Sequence, residues 1–248
     1  MTSRAISDAS RAKASRRHPA IYSEKFVRNT FTPREQERIR TSLFAVIGLG
    51  GTGGFMLENL LRMGAERFLV FEDDRIELAN FNRQILACDG DIDKLKSIAA
   101  RRRANTINAD AKLHMRGRFS GRSSLRGARI VLDGSDDVST KAQAAHASSA
   151  AKIPYVFSSA SDTRGIVSVF FGYGFRKAFQ LPGEGKGARA LGRYNRCSRI
   201  ICPAAAIAGS IAASQAVNAI IGRPVIPAPE AQFFDLSRKD PFWRARLG

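Results

Sequence analysis

Residues 43–64 read LFAVIGLGGTGGFMLENLLRMG, and their order decides the fold class. The run from Leu43 to Ile47 is apolar throughout, as expected of a strand buried on both faces. It breaks into Gly48, Gly50, Gly51, Gly53 and Gly54, after which apolar residues recur at helical spacing until Gly64, a helix stop. A strand passing through G-x-G-x-x-G into a helix opens a nucleotide-binding α/β unit. Glycine is needed there because backbone N–H groups at the helix N-terminus must approach phosphate oxygens closely.

Outward from this unit, strands and helices alternate. RFLVFE (67–72) is a second buried strand ending on Glu72, placed where an acid accepts hydrogen bonds from ribose hydroxyls. DKLKSIAARRRANTIN (93–108) and STKAQAAHASSAAK (139–152) read as helices, ARIVLDGSDD (128–137) and IPYVFSS (153–159) as strands running into polar loops. IVSVFFG (166–172) follows so closely that the last two strands pair antiparallel. Upstream, TPREQERIR (32–40) starts a helix with Thr32 as cap, Pro33 in the first position and Glu35 completing a capping box. A Gly- and Arg-rich loop at about 172–201 leads to the uncharged stretch 204–222 and a short tail. That stretch is long enough for a bilayer, but its alanines with interspersed Ser, Gln and Asn read as a buried, closely packed helix. The expected architecture is α/β: a doubly wound, mainly parallel, Rossmann-like sheet with an antiparallel extension in the C-terminal half. Residues 1–20 form a basic, disordered arm. Residues 21–248 form a single domain, with a nucleotide-binding half to about 160 and a substrate-facing half from 161.

The 248-residue chain carries 40 Lys and Arg against 22 Asp and Glu, a formal charge of +18. Such a surplus suits nucleic acid, an acidic protein or a polyphosphate, and equally a merely solvated surface. The basic residues are dispersed and not interleaved with stacking aromatics, so single-strand binding is not encoded. Cys88, Cys197 and Cys202 lack C-x-x-C spacing, which excludes a paired-cysteine zinc site and argues against a disulfide framework. Cys88 and Cys202 are expected to be packed. Cys197 is a plain loop cysteine unless Arg196 and Arg199 come close enough to lower its pKa. With no apolar signal core at the N-terminus, the expected location is cytoplasmic, with no membrane partner.

Read this far, the glycines and Glu72 would suit an NAD-dependent oxidoreductase. The next stretch, EDDRIELANFNRQ (72–84), points elsewhere. Hydride transfer has no use for Arg83 and Lys96 beside a dinucleotide, whereas nucleotidyl transfer accumulates charge on phosphates that cations stabilise. Asp74 reads as a loop carboxylate or helix cap.

GLGGTGG, ELANFNRQ, Lys96 of DKLKS and LDGSDD together resemble the adenylation domain of the ThiF/MoeB group, relatives of ubiquitin-activating enzymes. The order and intervals of these blocks match that group over residues 25–160, and more loosely beyond. The resemblance implies that Gly48, Gly50, Gly51 and Gly53 form the loop against the ATP phosphates, and that Glu72 holds the ribose where the group more often has Asp. It implies that Asn80, Arg83 and Gln84 contact the nucleotide and its phosphates, that Lys96 neutralises phosphate charge, and that Asp136 binds Mg2+. Asp137 stands beside it, where Asn is usual. Arg28, in KFVRN (25–29), would reach the ATP of a second subunit, which implies a homodimer. No zinc is expected, because the group's two C-x-x-C pairs are missing. No general base is required, since the nucleophile is an ionised carboxylate. That carboxylate would be the C-terminal glycine of an acidic ubiquitin-like sulfur carrier. Alternatives are a tRNA, as in threonylcarbamoyladenosine dehydratases, or a peptide or small carboxylic acid.

Overall fold

A computed structural model describes residues 24–172, 174–181 and 199–248. The elements are α1 (Pro33–Thr41), β1 (Leu43–Ile47), α2 (Gly51–Arg62), β2 (Arg67–Phe71), α3 (Lys96–Ile107), β3 (Lys112–Arg116), β4 (Ile130–Asp133) and α4 (Val138–Ala150). They continue with β5 (Tyr155–Ser161), β6 (Arg164–Phe170), the one-turn α5 (Phe175–Ala178), α6 (Cys202–Ile221), β7 (Glu230–Asp235) and β8 (Phe242–Arg246).

The strands form one sheet in the order β3-β2-β1-β4-β5-β6-β7-β8. Pairing is parallel from β3 through β5 and antiparallel from β5 through β8. The expected α/β architecture with its antiparallel extension is the observed one. The chain winds from β1 outward to β3, then returns to place β4 on the other side of β1. The C-terminal ends of β1 and β4 therefore flank the crevice where open α/β sheets bind ligands.

Both faces of the sheet are covered, which explains the unbroken apolar run of β1. Phe44 and Val46 pack with Met56 and Leu60 of α2 and Ala212 and Ala216 of α6, while Ala45 and Ile47 face Ala144 of α4 and Phe175 of α5. Helix α6 lies across α2. A Cβ on Gly209 would meet the Thr52 carbonyl at 2.5 Å and Phe55 at 2.7 Å, so the small residues permit close helix contact. Among the described residues α6 is the one helix apolar and long enough to cross a membrane, and most of its apolar stretch is buried inside the protein.

The capping box of α1 forms: the Glu35 amide donates to the Thr32 hydroxyl at 3.3 Å, and the Thr32 amide to the Glu35 carboxylate at 2.8 Å. Arg223, just past α6, also pairs with Glu35 at 2.8 Å, tying the two helices together. Two regions depart from the sequence expectation. Residues 112–116, read only as part of a basic stretch, form the edge strand β3, and the short tail supplies β7 and β8. These strands escaped notice because edge strands keep wet, polar side chains: in β8 only Trp243 is partly buried.

Candidate active site

A cavity of about 820 Å³ opens at the C-terminal ends of β2, β1, β4 and β5. Its floor is the glycine turn. Gly48 has φ of +78°, and a Cβ there would meet Ser135 backbone at 3.1 Å. A Cβ on Gly53 would stand 2.0 Å from the Gly48 carbonyl oxygen, and one on Gly134 would stand 2.5 Å from Gly53 Cα. Gly53 thus brings α2 against the β1 and β4 ends and does not line the cavity itself, whereas Gly48, Gly50 and Gly51 do. Gly50 is the N-cap of α2, with no side chain to occupy the helix's free N–H groups.

Glu72, at the end of β2, is buried. One oxygen accepts the Leu49 amide at 2.7 Å and the other the Asp74 amide at 2.8 Å. The carboxylate thereby locks the glycine turn to β2 and borders the cavity. Asn80 is buried in a 3₁₀ turn, where its side-chain oxygen accepts the Glu77 amide at 3.1 Å, and Gln84 is buried beside Gly50. Arg83 lays its stem over Gly51 and donates from Nη1 to the Ala79 carbonyl at 2.7 Å and to Asn82 Oδ1 at 2.9 Å. Lys96 opens α3 and is buried, with Nζ 3.1 Å from Asp74 Oδ2. Asp74 is therefore a loop carboxylate, as expected, and it holds Lys96 at the cavity wall.

Glu72, Asp73 and Asp74 can bring three carboxylate oxygens within 4.8 Å of one another. Arg118 pairs with Asp73 at 3.2 Å and Asp74 at 3.6 Å, so with Lys96 this acidic group is already compensated. Asp136 differs. It projects from the turn after β4, is exposed, and makes no hydrogen bond or ion pair to another described residue. A free carboxylate facing a phosphate site suits Mg2+, which typically takes one or two protein carboxylates plus substrate oxygens. Asp137 caps α4, its Oδ2 accepting from the Thr140 amide at 2.6 Å and hydroxyl at 2.7 Å, while also bordering the cavity.

Sequence reasoning missed a buried cluster directly beneath this turn. Asp133 is fully buried and accepts from Tyr155 Oη at 2.8 Å, Lys141 Nζ at 3.3 Å, the Ser135 amide at 2.9 Å and the Ser135 hydroxyl at 2.6 Å. Lys141 also donates to the Ser158 carbonyl at 2.9 Å and lies over the Phe157 ring. Burial, then the Asp133 charge, pushes the Tyr155 phenol well above its usual pKa. The available signal was the acid closing an apolar strand in IVLD, two turns of chain before a lysine.

Arg28 is exposed and does not line the cavity of its own chain. Cys88 and Cys202 were expected to be packed, and both are exposed. Cys88 begins a 3₁₀ turn at the surface, and Cys202 stands at the open first turn of α6, upstream of that helix's buried stripe. Cys197 and the 1–20 arm lie outside the described residues.

The ThiF family model matches residues 22–247. The chain belongs to the ThiF family. It is 27% identical over 236 residues to the sulfur carrier protein ThiS adenylyltransferase of Escherichia coli K12, covering 90% of this chain and 89% of that protein. It is 32% identical over 128 residues to the tRNA threonylcarbamoyladenosine dehydratase of Haemophilus influenzae, a match spanning about half the length of each (49% and 49%). In fold it resembles E. coli MccB in its ATP complex, with a TM-score of 0.69 at 14% identity over 86% of this chain and 66% of that one. The cavity thus lies in a ThiF-family domain, with the four sequence blocks of that family meeting around it.

Proposed function

We propose that this protein is an ATP-dependent adenylyltransferase that converts a carboxylate into an acyl adenylate. The carboxylate oxygen attacks the α-phosphorus, the bond from that phosphorus to the bridging oxygen of the β-phosphate breaks, and pyrophosphate leaves with the electron pair. The observation that carries the reading is the convergence of the Gly50–Gly51 helix N-terminus, Glu72, Lys96 and the free Asp136 on one cavity. Glu72 borders the ribose position. Arg83 and Lys96 stabilise charge gained by the phosphates in the transition state. Asp136 would hold Mg2+, which shields the same oxygens when bound.

Arg83 must leave its contacts with Ala79 and Asn82 to reach a phosphate, and Lys96 must share its ammonium with Asp74. Arg28, exposed in its own chain, would act on the site of a second copy. Exposed apolar side chains on the segments beside the site support such a homodimer: Leu78 is 73% exposed, Ile98 51% and Val27 72%. Near-complete coverage of a ThiS adenylyltransferase favours the C-terminal glycine of an acidic ubiquitin-like carrier as the acyl group, in the cytoplasm, and the +18 charge suits that partner. A second reading, activation of a carboxylate on tRNA, rests on the higher identity to the dehydratase over half the chain.

The test is ATP–pyrophosphate exchange with Mg2+, run with a candidate carrier, with total tRNA and with no acceptor. Carrier-dependent exchange abolished in Arg83→Ala is the expected result; exchange with tRNA alone moves the assignment to RNA modification. A protein that binds no ATP sinks both readings.

A further inference from the structure

Two apolar regions lie at opposite ends of the cavity. On the β2 side, Phe71 and Phe119 stand edge to face, ring centroids 5.0 Å apart, close to Glu72. On the β5 side the lining is Phe157, Phe175, Phe179 and Leu181. In the order β2-β1-β4-β5 these ends are three strand spacings apart, about 14 Å. With the ribose at Glu72, the base falls on the β2 side. The phosphates then lie over Gly50 and Gly51, between the ends of β1 and β4, where Asp136 projects. The β5 end remains for the acyl group.

On the adenylation reading above, we propose that this end is a specificity subsite for the side chain immediately preceding the substrate's carboxyl-terminal residue, and that this side chain is apolar or aromatic. The reach is right. A carboxylate at the α-phosphate lies at the β1–β4 ends, and one extended residue, about 3.3 Å, carries the chain towards β5, one strand spacing away. The chemistry is selective. Phe179 lies 4.7 Å from both Phe157 and Phe175, centroid to centroid, and Phe179 and Leu181 are only partly buried, leaving an apolar rim. The cation at this end, Lys141, is engaged by Asp133 and the Ser158 carbonyl. An acidic side chain would find no free counter-charge there, whereas an apolar one would exchange water for ring surface.

The experiment uses two non-reactive acyl-adenylate mimics, N-acetyl-Phe-Gly and N-acetyl-Gly-Gly joined through a sulfamate to adenosine. Each is titrated calorimetrically into the full chain, with and without ATP as competitor. The Phe-Gly compound should bind about tenfold or more tighter, the advantage expected for burying a phenyl group. Phe179→Ala and, separately, Leu181→Ala should each shrink that ratio. Equal or tighter binding of the Gly-Gly compound, both still competing with ATP, overturns the subsite and leaves adenylation standing. Failure of both compounds to compete with bound ATP overturns the adenylation reading and the subsite with it.

Discussion

The Tyr155 hydroxyl donates to Asp133 at 2.8 Å, joining the first residue of β5 to the last of β4 where both are inaccessible to water. Through its other oxygen Asp133 receives the Ser135 amide and hydroxyl, so the same carboxylate shapes the turn that projects Asp136. The Lys141 ammonium balances its charge. Replacing Lys141 by Met leaves a buried carboxylate without its counter-ion, and unfolding in urea should show a loss of about 3–5 kcal/mol. Lys141→Arg should recover most of it.

The pH response of that cluster follows from the direction of the Tyr155 shift. Burial and the Asp133 charge hold the folded phenol above its usual range, while the unfolded chain ionises near the ordinary value of about 10. Stability from this group is fully present below that pH and falls as pH rises further, because only the unfolded state gains by losing the proton. Tyr155→Phe should be less stable than the parent at pH 8, and the gap should narrow between pH 10 and 11. A gap constant across that interval would contradict the account.

Arg83 rests on its own loop rather than on a core, and its removal should leave folding intact. Arg83→Ala is expected to melt within a few degrees of the parent while acceptor-dependent pyrophosphate exchange falls about 10²- to 10³-fold, as for loss of one charge-stabilising donor. Lys96→Met should lower exchange comparably and, in addition, free Asp74 from its partner at 3.1 Å.

Asp136 touches no described partner, so Asp136→Asn tests a role in metal binding without a structural penalty. Its expected signature is an increased Mg2+ requirement for exchange with an unchanged melting temperature. A simultaneous fall in melting temperature would mean that the carboxylate supports the fold.

Gly53→Ala places a methyl group 2.0 Å from the Gly48 carbonyl oxygen, and backbone cannot yield as a flexible side chain would. A loss of about 3 kcal/mol or more is expected, at the upper end for overpacking, together with weakened ATP binding. Gly50→Ala, whose added Cβ would meet nothing nearer than Gln84 at 4.0 Å, should disturb nucleotide binding far more than stability.

Much of this protein is determined by local order along the chain. The apolar run ending in glycines, the acid closing β2 and the capping box at Thr32 each declare themselves within a few residues, because backbone conformation and strand burial are set by near neighbours and by period. The four motif blocks could likewise be assigned to one site, since consecutive βα units deliver their loops to the same edge of a parallel sheet. Tertiary structure decided the rest. The Asp133–Lys141–Tyr155 cluster depends on the register of β4 with β5 and on how α4 lies over them. The division of the glycines, with Gly53 for packing against Gly134 and Gly50 facing the cavity, depends on a contact between residues more than eighty positions apart in the chain. Edge strands β3, β7 and β8, and the exposure of Cys88 and Cys202, followed the same rule. Their character comes from which surfaces remain uncovered after packing, and residue type alone does not record that.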